Sequence, residues 1–94
     1  MEGWKRVADA VHAKGSLIVC QLWHRGRNNG SAILGSQPVS ASAVAEAGIN
    51  RKTGLPNEVP RAMTIEEIAE VVQDFRAAAA NAKRAGSSFV TCCL

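Results

Sequence analysis

The 94-residue sequence contains no tyrosine, and aromatic residues make up only 4% of it. Few flat rings are on hand to stack nucleic-acid bases, the main device of single-strand binding. Cysteine is scarce too. Cys20, Cys92 and Cys93 are too few and too unevenly spaced for a disulfide framework, so a reducing, cytoplasmic setting is expected. With only His12 and His24 beside them, and no C-x-x-C or H-x-x-x-H spacing, no metal site is expected. No strictly apolar run exceeds four residues, as in Ala77–Ala80, whereas a membrane helix needs about 20. The opening Met1-Glu-Gly-Trp-Lys-Arg6 lacks the pattern of a signal peptide. Nor does one sign of charge dominate: 11 Lys and Arg against 8 Asp and Glu give a net charge of +3. The positive charges are scattered, which argues against a nucleic-acid partner.

What is present reads as a folded chain. Hydrophobic residues reach 47%, too many for disorder throughout. The length allows one small domain at most, and such a domain buries only about 60–65% of its unfolded surface.

Trp4, Val7, Ala8 and Val11 follow helical spacing and predict a helix over Trp4–Ala13, stopped by Lys14-Gly15. His12 near its end reads as a surface residue. Ser16–Trp23 is an almost continuous apolar run of strand length, expected to be buried on both faces as in a parallel sheet. Gln21 interrupts it. Two readings stand: the amide pairs with neighbouring backbone, or it faces a polar ligand at the strand's C-terminal end, where α/β proteins place their sites.

Residues 24–63 hold five of the eight glycines and all three prolines. They read as a long loop of a kind that is often functional, with room for short strands or a hairpin. Thr64-Ile-Glu-Glu67 has the form of a capping box. Ile65, Ile68, Ala69, Val72, Phe75, Ala79 and Ala82 then form one apolar stripe, with acids early and bases late as the helix dipole prefers. A helix over Thr64–Ala85 follows, stopped at Gly86. Ser87–Leu94 reads as a short strand. The order helix, strand, loop, helix, strand is an α/β pattern, but two strands close no barrel, and a lone two-stranded sheet is marginal in water.

Gly26-Arg-Asn-Asn-Gly30 lacks both the P-loop ending and the dinucleotide glycine spacing. Cys20 and His24 would sit about 13 Å apart along a strand, too far to act as a nucleophile and base.

Five motifs together carry a resemblance: Asp9-Ala-Val-His-Ala-Lys-Gly15, Gln21-Leu-Trp-His-Arg-Gly-Arg27, Pro38-Val-Ser-Ala-Ser42, Pro60-Arg-Ala-Met-Thr64 and Phe75-Arg-Ala-Ala-Ala-Ala-Asn-Ala-Lys-Arg-Ala-Gly86. In this order and spacing the chain resembles the old yellow enzyme family, FMN-dependent ene-reductases also known as NADH:flavin oxidoreductases. The resemblance implies an α/β fold that is part of a (β/α)8 barrel. Trp4–Lys14 would be the second barrel helix, Ser16–Trp23 the third strand, Thr64–Ala85 the third helix, and Ser87 onward the start of the fourth strand. Residues 1–94 would then be a fragment of an FMN-binding barrel domain.

The resemblance also implies roles. Gln21 matches the glutamine that hydrogen-bonds the flavin's pyrimidine edge, which selects the second of its two readings; an amide can donate and accept there at once. Trp23 matches an aromatic lining the substrate pocket. Arg27 is expected to anchor the loop, and Arg61 to make a structural contact. The implied cofactor is FMN, with NAD(P)H as reductant and a small enone as substrate. The departures count as well. Where the family continues with a Phe-Asp-x-Val-Glu-Ile-His-Gly-Ala pattern, this chain reads Gly86-Ser-Ser-Phe-Val-Thr-Cys-Cys-Leu94. The substrate-binding His and the protonating Tyr have no counterpart here, so no catalytic residue is assigned and the chain alone is expected to be inactive. The alternative is a non-catalytic shortened isoform that only associates with other chains, itself included.

Overall fold

The computed structural model describes residues 1–93. In chain order the elements are α1 (Glu2–Ala13), β1 (Val19–Trp23), a 3-10 turn (Gly26–Asn28), α2 (Ser31–Leu34), β2 (Val39–Ser40), β3 (Arg61–Ala62), α3 (Ile65–Arg84) and β4 (Phe89–Cys93). They fall into two compact units: residues 1–24 with 71–93, and residues 25–70. The fold is α/β, as expected. The described strands form two separate two-stranded parallel sheets, and no barrel closes among them.

In the first unit, α1 begins two residues earlier than its apolar pattern predicts, because the Lys5 amide reaches the Met1 carbonyl at 3.0 Å. Lys5 also pairs with Asp9 one turn on, at 2.7 Å. Both long helices end in the same way. At the end of α1, Gly15 N–H donates to His12 O and Ser16 N–H to Val11 O; at the end of α3, Gly86 N–H donates to Lys83 O and Ser87 N–H to Ala82 O. These are the paired bonds of a Schellman motif, and they need a left-handed residue that glycine supplies without strain. Gly15 and Gly86 have φ of +77° and +98°. The Gly-Ser pairs at 15–16 and 86–87 are thus helix stops, as the sequence predicts.

β1 and β4 pair in parallel, with Val19 opposite Phe89 and Gln21 opposite Thr91. Both strands are shorter than expected. Ser16 is drawn into the exit turn of α1, and pairing starts only where Ser88 N–H meets Ile18 O at 2.9 Å. Leu94 of the expected Ser87–Leu94 strand lies outside the described residues. The expectation that β1 is buried on both faces is corrected: Val19, Gln21 and Trp23 are exposed while Cys20 and Leu22 are half-buried. The reason is coverage. Parallel strands lose both faces to the core only when helices flank both. Here Cys20 shares an apolar cavity of about 360 Å³ with Ala8 of α1 and Ala78 and Ala82 of α3, and the opposite face is open. Ala8 and Ala85 are the buried apolar residues of this unit, and a Cβ on Gly86 would lie 3.4 Å from that of Ala8.

The second unit corrects the reading of residues 24–63 as one long loop, while keeping the short strands that reading allowed. β2 and β3 pair in parallel, Val39 with Arg61 and Ser40 with Ala62. Each follows a fully buried proline, Pro38 or Pro60. Asn50, also buried, closes a side-chain turn by accepting the Lys52 and Thr53 amides on Oδ1 at 2.9 and 3.3 Å, a habitual asparagine role in turns. Glu58 Oε1 accepts both the amide and the hydroxyl of Ser31, capping α2. The capping box at the start of α3 forms as predicted: Glu67 N–H donates to Thr64 Oγ1 at 3.1 Å and Thr64 N–H to Glu67 Oε2 at 3.0 Å.

Candidate functional site

The open face of the β1–β4 sheet carries the residues that the sequence singles out. Strand alternation puts Val19, Gln21 and Trp23 on one side, and parallel register sets Phe89 and Thr91 beside Val19 and Gln21. Val19, Trp23 and Phe89 are each more than half exposed, at 53%, 61% and 62%. The face is therefore an apolar strip with an amide and a hydroxyl across its middle. Gln21 lies with its side chain exposed rather than enclosed by neighbouring backbone.

Trp23 is the last residue of β1, at the C-terminal end where parallel strands present their ligand sites. An open cavity of about 240 Å³ adjoins it, lined by Leu22, Trp23, His24, Asp74 and Phe75 among others. Thr91 was missed by sequence reasoning. Alternation along Phe89-Val-Thr-Cys is visible in the sequence, but only the pairing register puts Thr91 beside Gln21. Cys20 is half-buried on the other face and lines the 360 Å³ cavity, whose rim its neighbour Val19 also reaches.

The two arginines take the structural roles expected of them. Arg27 donates to Val44 O at 2.7 Å, to Ser40 Oγ at 3.0 Å and to Ser42 Oγ at 3.3 Å. It thereby fastens three points of its own unit, and its planar fork suits that task. Arg61 bonds Glu67 Oε2 at 3.0 Å. That guanidinium, with the Thr64 amide behind it, holds the Glu67 carboxyl below its ordinary range; Glu67 in turn raises Arg61. His12 lies exposed at the end of α1, as expected, and it also meets Ser88 Oγ at 3.0 Å. Among the described residues no three His, Cys, Asp or Glu side chains come together as metal ligands, and no helix is long and apolar enough to cross a membrane.

Residues 1–92 match the NADH:flavin oxidoreductase / NADH oxidase family. The 12-oxophytodienoate reductase 2 of Arabidopsis thaliana is 42% identical over 91 residues, covering 92% of this chain and 24% of that protein. Among solved structures, morphinone reductase superposes with a TM-score of 0.85 at 40% identity, over 97% of this chain and 27% of that one. The old yellow enzyme homologue from Zymomonas mobilis gives 0.81 at 38% identity, over 97% and 26%. The chain thus spans about a quarter of the length of the proteins it matches.

Proposed function

Since the chain belongs to the NADH:flavin oxidoreductase / NADH oxidase family, we propose that it is the part of an FMN-dependent enone reductase that holds the pyrimidine edge of the flavin. The observation that carries this is the exposed Gln21 amide, beside Thr91, in the middle of an apolar strip on the open face of a parallel sheet. The donor set fits the group. A flavin ring is flat and largely apolar, with alternating donors and acceptors along one edge, which an amide can match. Val19 and Phe89 supply apolar surface beside Gln21, and Trp23 would wall the substrate side. Bound there, FMN would supply hydride chemistry, taking electrons from NAD(P)H and passing them to an activated alkene.

The same reading says that these residues bind and orient but do not complete the chemistry. Activating the enone carbonyl needs a hydrogen-bond donor, and delivering a proton needs an acid; the 94 residues contain no tyrosine for the second task. The 94-residue chain by itself is therefore inactive in this proposal. A cytoplasmic setting belongs to the same reading, and the free thiols of Cys20 and Cys92 suit it.

The test is a chimera in which these residues replace the matching quarter of morphinone reductase. It should bind FMN and reduce cyclohexenone with a nicotinamide reductant. Gln21→Leu should weaken flavin binding about tenfold or more, the cost of leaving a buried ring edge unpaired, and Trp23→Ala should raise KM for the enone. Unchanged flavin affinity in Gln21→Leu would remove the basis of the proposal.

A second reading is favoured by the exposure of Val19, Trp23 and Phe89 on one face. A two-stranded sheet with such a face is marginal alone, so the isolated chain would associate with copies of itself or with longer chains. Size-exclusion chromatography distinguishes this from a dispersed monomer.

A further inference from the structure

The side of β1 that carries Cys20, away from Gln21, borders the cavity of about 360 Å³. Two helices bound it. α1 contributes Ala8, and α3 contributes Ala78, Ala82 and Ala85. Alanine has no side-chain rotamer that could turn inward and fill the space. Nor can the helices close on it. Ala8 and Ala85 are already buried, and a Cβ on Gly86 would lie 3.4 Å from that of Ala8. α1 therefore already touches the chain at the end of α3, and the space beside that contact is propped open. Trp4, the large ring in the lining, does not fill it either, because it stays 70% exposed. Protein interiors seldom leave such room, and lining atoms that face a void forgo dispersion contacts.

We propose that this cavity is a binding site, separate from the proposed flavin face, for a neutral aromatic molecule of about two rings bearing one hydrogen-bond acceptor. Volume sets the size. Small-molecule sites run from about 300 to 1,000 Å³, and an apolar cavity of about 150 Å³ takes up benzene. The space here has room for a second ring. The lining sets the charge. Among the described residues no charged side chain lines the cavity, so an ionic ligand would lose its water without gaining a partner. Trp4 offers an exposed ring against which an aromatic ligand can stack. Asn81 and Ser87 are the polar side chains of the lining beside the Cys20 thiol. Arg84 donates to Asn81 Oδ1, which leaves Asn81 Nδ2 as a donor for the ligand's acceptor.

The test is NMR on the 94-residue chain, ¹³C-labelled in its alanine methyl groups and titrated with 2-naphthol. The methyl signals of Ala8, Ala78 and Ala82 should move by ring-current shift and saturate, together with the Trp4 indole N–H. Ala10 and Ala80, exposed on the same two helices, should stay in place. Naphthalene-2-sulfonate, with the same rings and a charge, should bind about tenfold more weakly or worse. Ala82→Leu fills the space and should weaken 2-naphthol by about tenfold or more. Should that variant fail to fold, Ala78→Val carries the same expectation. Shifts spread equally over Ala10 and Ala80, or confined to Trp23, would overturn the site, and so would full binding by Ala82→Leu. Equal affinity for the sulfonate would overturn the ligand class. Cavity signals that follow protein concentration and ignore the probe would put a second copy there and overturn the proposal.

Discussion

Thr64→Ala tests how α3 is held. The 20 residues of α3 include none that is fully buried, so the packing that normally stabilises a protein helix is weak here and local terms gain weight. The substitution removes the Thr64 Oγ1 that accepts the Glu67 amide at 3.1 Å. The reverse bond, from the Thr64 amide to Glu67 Oε2 at 3.0 Å, is a backbone donor and survives. Half the capping box is therefore lost, and the exposed amide can turn to water. N-cap replacements by alanine cost about 0.5–2 kcal/mol. The surviving bond and the exposure put this one near 1 kcal/mol, a factor of about five in the local equilibrium. Thr64→Ser keeps the acceptor and should cost only a few tenths of that. The assay is amide exchange along Ile65–Glu70, with the urea midpoint as a global measure. If Thr64→Ala and Thr64→Ser exchange alike, the cap hydroxyl does not hold the first turn and the argument fails.

Other perturbations follow from the same geometry. The Glu67 carboxyl is held below its ordinary range, first by Arg61 and then by the Thr64 amide. A depressed carboxyl contributes stability that is fully present above its unfolded value and is lost as pH falls through the folded one. An acid titration should therefore show the α3 amino terminus fraying as pH falls below about 4.5, the ordinary value for this group, and Arg61→Gln should make that loss smaller and move its midpoint upward. Gly15→Ala and Gly86→Ala both force alanine into positive φ, at about 1–2 kcal/mol each. Gly86→Val should cost more than Gly15→Val in urea denaturation, because only at Gly86 does the added Cβ meet a neighbour, Ala8. Arg27→Ala removes all three bonds to Ser40, Ser42 and Val44 and should lower stability by about 2 kcal/mol. Arg27→Lys should recover less than half of that, and equal stability of Arg27→Lys and the parent would refute the role of the planar fork.

The stops of α1 and α3, the strands β1 and β4 and the α3 cap could be read from the sequence because each depends on residues within a few positions of one another. Thr64 finds Glu67 three residues on, and Gly15 and Gly86 stop their helices through bonds that span six residues or fewer. Gln21 stood out for a related reason: it interrupts an apolar strand, which left two readings open, and only the contiguous motif around it favoured the proposed flavin contact. The interior of residues 25–70 was not legible. It is held by Arg27 to Val44, Ser31 to Glu58 and Pro38 to Arg61, contacts 17 to 27 residues apart whose partners are ordinary polar groups with no local signature.

By itself the sequence determined that the chain is α/β, where α1, β1, α3 and β4 lie along it, and that one amide interrupts the apolar run of β1. Only the tertiary structure decided that β1 hides one face and exposes the other, that Thr91 stands beside Gln21, and that His12 reaches Ser88 across 76 residues. The physical reason is range. Backbone dihedrals and caps answer to neighbours in the chain, whereas burial and register depend on what else packs against a strand, which no pattern within that strand can specify.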